Sequence, residues 1–223
     1  MPVIEPSRGV HRLIDRTTAT EAATRALREI ILNAEIPVGA PLRQDDLARQ
    51  LGVSRTPLRE ALQRLEAEGL VRLDIHKGAV VAKPSIAQVS DIFELQEVLE
   101  TIAGRGAIER TTDTDIEAIR SLLAKHAVID EPAEWGRANT EFHTRLYSIS
   151  GKPLLVEMIG LLRNRSGLYV HMLARSPEGR RRADQEHQQM LEALTAGDAD
   201  GLETLIRHHL RTTLEWLKGV IEE

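Results

Sequence analysis

The chain has 223 residues, of which 42% are hydrophobic but only 3% aromatic, so its core must be built from Leu, Ile, Val and Ala, a mix that favours helices over sheets. It contains no cysteine, which excludes a disulfide framework and a zinc–thiolate site, and no apolar run or leader pattern marks a membrane span or signal peptide, so a cytoplasmic protein is expected. The net charge of -5 is unevenly spread: residues 1–83 carry 13 Lys and Arg against 11 Asp and Glu, whereas residues 84–223 carry 16 against 23, so only the first part is suited to meet phosphates.

In chain order, residues 1–17 show no hydrophobic period and are expected to form a flexible arm. Residues 18–83 form the first predicted domain. Thr20 or Glu21 opens a helix with apolar positions Ala23, Leu27, Ile30, Ile31 and Ala34, which stops before the breaker Pro37-Val38-Gly39-Ala40-Pro41. The stretch from Leu42 to Val71 then reads as helix, tight turn, helix and strand start. Leu47, Leu51, Val53, Leu58, Leu62 and Leu65 recur at helical spacing, Gly52 supplies the turn, and Ser54 caps the second helix ahead of Pro57. Leu70–Leu73 and Ala79–Ala82 are short β-rich runs around a turn containing Gly78. Together these elements predict a winged helix-turn-helix.

The second helix leaves Ser54, Arg55, Thr56 and Arg59 pointing outward at its front. In this motif the front of the second helix meets base edges in the DNA major groove. There Arg bonds guanine in a bidentate way, and hydroxyls take phosphates or bases. Arg43, Arg64 and Lys77 are candidate phosphate contacts, and Gly78 allows the wing tip to approach the backbone closely.

Lys83-Pro84-Ser85 marks a domain boundary, because Pro84 cannot continue a strand ladder and Ser85 can cap a helix. Residues 84–223 read as an all-α antiparallel bundle, with helices near 86–110, 114–127, 132–149, 153–174, 178–196 and 199–219. The fold class is therefore mainly α: an N-terminal winged helix-turn-helix followed by a helical bundle.

Four residues in the bundle invite a metal. Asn139 and His143 are four apart and share one helix face. His187 lies on the stripe of Met190, Leu191 and Leu194. His209 falls on the apolar row of the last helix, whereas His208 falls on its polar face. His187 and His209 are equally far from the Asp198 break, so an antiparallel hairpin brings them to one level. Imidazoles so placed suit a divalent transition metal, with zinc or nickel foremost.

The run from Leu47-Ala48 through Leu51-Gly52-Val53-Ser54-Arg55-Thr56-Pro57-Leu58-Arg59-Glu60-Ala61-Leu62, followed by Glu68-Gly69-Leu70-Val71, resembles the winged helix of GntR-family bacterial transcription regulators. The helical remainder resembles the FCD effector domain of that family's fatty-acid-regulator-like branch, so the resemblance covers about residues 20–219. It implies a homodimeric regulator, a repressor foremost, that binds palindromic operator DNA and responds to a small metabolite, often a carboxylate. It also implies a metal held by an Asp-x-x-x-His pair and two later histidines, which here fall on Asn139, His143, His187 and His209. Two departures stand out: Asn139 replaces the commoner carboxylate, and Gln96 stands where the resemblance leads one to expect arginine. Gln96, Arg105 and Arg163 are the candidate effector contacts.

Other readings of the same histidines are a metal-dependent hydrolase, a dedicated metal sensor, or a structural metal beside an organic-acid signal. The hydrolase lacks a general base, since Glu186 adjoins His187 and Glu141 precedes His143 by two, so both are expected to point off the histidine face.

Overall fold

The long helix α1 (Arg8–Leu32) buries Ala23, Leu27 and Ile31 against α3 (Arg55–Ala67), whose own stripe of Leu58, Leu62 and Leu65 is almost fully buried. Each such leucine contributes about 1.5–3 kcal/mol of burial. Polar ties reinforce the pair: Thr20 donates to Glu60 at 2.8 Å, and Arg28 holds Glu68 bidentately at 2.6 and 2.9 Å. This computed structural model describes residues 8–32, 35–74, 78–83 and 85–222, with side chains described from residue 19 to 221.

The expected arm ends sooner than the sequence suggested, because residues 8–17 continue α1. No proline interrupts them, and helix propensity does not require an apolar stripe. Residues 1–7 lie outside the described residues, as do Asn33 and Ala34.

Between α2 (Gln44–Gln50) and α3 the chain turns at Gly52, whose φ of +66° is unfavourable for residues with a Cβ. Strands β1 (Val71–Asp74) and β2 (Gly78–Val81) form an antiparallel hairpin with Val71 opposite Val81 and Asp74 opposite Gly78. The Pro/Gly segment read only as a breaker does more. Leu42 donates to the Ala79 carbonyl at 2.7 Å and Val81 to that of Ala40 at 3.0 Å, so the segment pairs with the far edge of β2. Ala79, Val80 and Val81 are all buried rather than alternating.

The chain divides into two units between Lys83 and Pro84, although Pro84 itself lies outside the described residues. The second unit is wholly helical: α4 (Ile86–Arg110), α5 (Asp113–His126), α6 (Pro132–Ser148), α7 (Pro153–Arg165), α8 (Gly167–Ala174), α9 (Pro177–Ala196) and α10 (Ala199–Glu222). Three details differ from the sequence reading. Helix α5, expected from about 114, begins at Asp113 and is capped by Thr112 through a reciprocal box with Asp115. The helix expected over 153–174 breaks at Ser166, whose hydroxyl donates to the Arg163 carbonyl at 3.0 Å just before Gly167. The last helix runs on to Glu222. Helix α4 packs along α10, and the two approach so closely that a Cβ on Gly104 would lie 2.5 Å from Ile206 Cδ1. Gly197, at φ +69°, ends α9 and folds α10 back against it as the expected hairpin.

Candidate functional site

The first candidate site is the outer face of α2 and α3. Ser54 occupies the N-cap position of α3 with extended backbone, but its side chain makes no capping hydrogen bond. Capping was the expected role for Ser54, and the exposed hydroxyl instead faces outward. Arg55 and Arg59 are exposed and Thr56 is half-buried, so the front of α3 presents hydroxyls and guanidinium groups together. Arg55 pairs with Asp45 of α2 at 2.7 Å; both are exposed, so the pair is worth little and opens readily. Arg43 and Arg64 are exposed, and Gly78 is exposed at the wing. Lys77 lies outside the described residues.

The second candidate site lies among α6, α9 and α10. His143, His187 and His209 are buried, with ring centroids 4.9 Å (143–187), 5.3 Å (143–209) and 5.0 Å (187–209) apart. One ring nitrogen from each lies within 4.8 Å of the other two. Both ring nitrogens of His143 and of His187 are buried with no hydrogen-bond partner. An unsatisfied buried polar group costs about 1–3 kcal/mol, a cost native proteins rarely bear without a function.

Burial holds the pKa of both rings well below that of free imidazole, and the positive charge of Arg163 and of the neighbouring histidines pushes His143 in the same direction. The rings are therefore neutral and carry lone pairs at physiological pH. The lone pairs of His143 and His187, with a ring nitrogen of His209 beside them, fit zinc, nickel or a similar ion.

Glu186 corrects the sequence reading. It does not point off the face: it is buried, and its Oε2 accepts from His209 Nδ1 at 2.5 Å. Burial works to raise its pKa, but His209, Arg182 and His208 hold it below the usual carboxylate range. A carboxylate on Nδ1 fixes the tautomer of His209 and leaves Nε2 as its ligating atom. The adjacency argument failed because α9 buries two neighbouring positions, His187 toward α6 and Glu186 toward α10.

Beside the histidines lies a small, partly open cleft lined by Phe93, Gln96, Asn139, Arg163, His209 and Leu210 among others. The structure thus brings two of the three expected effector residues together with Asn139. Gln96 donates to Glu100 at 3.2 Å and keeps a buried, unpartnered Oε1, and Arg163 donates to the same fully buried carboxylate at 3.1 Å. Tyr147 donates to the other Glu100 oxygen at 2.6 Å. Sequence reasoning missed Glu100, because a lone glutamate on a long helix carries no periodic signal. Arg105, expected with Gln96 and Arg163, is elsewhere: half-exposed, it donates to Asp200 at 2.7 Å and to Glu203 at 2.9 Å.

Comparison with known proteins bears on both sites. Residues 19–81 match the family described as bacterial regulatory proteins, gntR family, and residues 91–212 match the FCD domain. The chain belongs to the GntR family. A probable D-xylose utilization operon transcriptional repressor from Paenarthrobacter nicotinovorans is 30% identical to this regulator, over 91% of this chain and 90% of its own length. The transcriptional regulator McbR of Escherichia coli is 32% identical, over 73% of this chain and 76% of its own. The solved structure of E. coli McbR/YncC superposes with a TM-score of 0.71 at 27% identity, covering 90% of this chain and 97% of that one. The regulator is therefore a DNA-binding transcription factor and not an enzyme, which disposes of the hydrolase reading. Among the described residues no helix is long and apolar enough to cross a membrane.

Proposed function

We propose that this regulator represses transcription by binding a palindromic operator as a homodimer, and that a divalent ion together with a small carboxylate metabolite controls that binding. The observation that carries the effector half is the buried cluster of His143, His187 and His209, in which the ring nitrogens of His143 and His187 have no partner and His209 also lines the neighbouring cleft. His143, His187 and His209 would hold the ion, with the Asn139 amide as a weaker fourth donor. When bound, the ion supplies an open coordination position for an acid's carboxylate. Arg163 is already balanced by Glu100, so its task is to orient the buried polar network; Gln96, with a spare acceptor, donates or accepts as the ligand requires.

Arg55, Thr56 and Arg59 would read bases, with Ser54, Arg43, Arg64, Lys77 and the wing at Gly78 on the backbone. Repression is supported by the name of the Paenarthrobacter relative, itself a probable repressor. A homodimer is supported by two exposed apolar stripes on neighbouring helices. Leu95, Val98 and Ile102 lie along α4, and Leu154, Met158 and Leu161 along α7, all exposed. Such patches mark interaction surfaces. A cytoplasmic location fits a DNA-binding transcription regulator.

Selection of random duplexes by the untagged protein tests the reading, combined with elemental analysis of the protein purified without chelator. An inverted repeat with half-sites about one helical turn apart, and about one transition metal per chain, are expected. Failure to enrich any symmetric sequence would overturn the operator reading. Absence of metal even after zinc or nickel is added would overturn the ion.

A further inference from the structure

A second group of donors sits beside the first. His126 at the end of α5 is buried, and its Nε2 lies 3.3 Å from the Trp135 carbonyl. A carbonyl only accepts, so Nε2 carries the hydrogen and Nδ1 carries the lone pair. That Nδ1 lies 3.2 Å from Asp184 Oδ1 without forming a hydrogen bond. Two acceptors held this close are reconciled by a proton on one of them or by a metal cation between them. Donors about 2.0–2.2 Å from a tetrahedral zinc lie about 3.4 Å from one another, close to the separation observed here.

The pair is also oriented as metal ligands are. The fully buried Trp135 fixes both partners, accepting from His126 through its carbonyl and donating from its indole Nε1 to Asp184 Oδ1 at 3.1 Å. Asp184 remains 30% exposed, which gives an ion a way in. The third donor is His187: one of its ring nitrogens lies within 4.8 Å of the donor atoms of His126 and Asp184, and its ring stacks on that of His126 at 5.9 Å.

We propose that His126, Asp184 and His187 form a second divalent-cation seat adjoining the three-histidine cluster, and that the two seats are alternatives for a single ion. Exclusivity follows from His187, which belongs to both. A neutral imidazole has one lone pair, because its other nitrogen carries the hydrogen, so it ligates one metal at a time. The seats differ in charge. The histidine cluster offers only neutral donors, whereas Asp184 partly neutralises the ion. An ion moving between them would leave α10 and engage α5. The inference extends the proposed metal reading but does not stand or fall with it, because each seat can be removed separately.

The test uses the full chain stripped by chelator and titrated with cobalt(II), followed by its visible absorption and by calorimetric stoichiometry. The D184N variant isolates the histidine cluster, and the H143A/H209A variant isolates the second seat. Wild type should take one cobalt per chain. H143A/H209A should still take one, with a changed spectrum, and adding D184N should weaken that binding more than about 100-fold, beyond the loss of a supporting contact. A folded H143A/H209A protein that takes up no cobalt, or binds it regardless of D184N, overturns the second seat while D184N alone still reports on the first. Two ions per wild-type chain overturn exclusivity. Should the double alanine variant fail to fold, H209Q alone keeps the question open to measurement. Its cobalt binding should become sensitive to D184N, and insensitivity would overturn the proposal.

Discussion

Taking the metal-free protein from about pH 7.5 to about pH 5.5 should remove up to about 3 kcal/mol of stability from the helical unit through His143 and His187. Both rings are fully buried, and that burial holds their pKa well below the free value of 6.5. In the unfolded chain they titrate near that free value, so below it the unfolded state binds more protons than the folded one. The contribution is complete above the unfolded pKa and is lost as pH falls below it. Each ring costs about 1.4 kcal/mol per pH unit, and two rings over one unit give up to about 3 kcal/mol. That is a large share of the 5–15 kcal/mol typical of a domain (about 0.05–0.15 kcal/mol per residue). Urea denaturation followed by tryptophan fluorescence is the assay, since both tryptophans, Trp135 and Trp216, lie in the helical unit. The H143Q/H187Q variant should lose the part of the dependence these two rings supply, leaving the smaller part from His126 and His171, which burial also holds low. An unchanged free energy between the two pH values, or the same slope in the variant, would refute the reasoning.

Other expectations follow from single residues. Arg59→Ala should weaken specific operator binding by about 1–3 kcal/mol in a fluorescence anisotropy titration, with little change in binding to random DNA if the side chain reads a base. Glu186→Gln should lower zinc affinity about 10–100-fold in a competition assay by loosening the orientation of His209, with helicity unchanged by circular dichroism. Gly52→Ala should cost about 1–2 kcal/mol in thermal unfolding, because its φ of +66° suits only a residue without a Cβ. Val98→Glu should shift the protein toward monomer in sedimentation velocity, because it puts a charge in the exposed stripe of α4.

Much of the fold is legible in local chemistry. The leucine spacing of α3, the turn at Gly52, the wing around Gly78 and the break at Gly197 each depend on residues within a few positions of one another. Local rules failed where a neighbour distant in sequence decided the outcome. The segment around Ala40 reads as a breaker until β2 is available to pair with it. The break at Ser166 is the exception, because it is local: the hydroxyl returns to the Arg163 carbonyl three residues back, just before Gly167.

The histidine site divides the same way. Periodicity by itself picked His187, His209 and the Asn139/His143 face, because which side of a helix is apolar is a property of one segment, and the hairpin at Gly197 fixed the level. Only the tertiary structure decided that Glu186 backs His209, that Arg163 is tied to Glu100 rather than standing open, that Arg105 belongs to a surface ion pair, and that His126 meets Asp184 beside His187. Each of these is a pairing of charged or polar groups across helices. Such a pairing is set by the azimuth and depth of packing, which no single helix encodes, and it is in the low-dielectric interior that the pairing has its largest energetic effect.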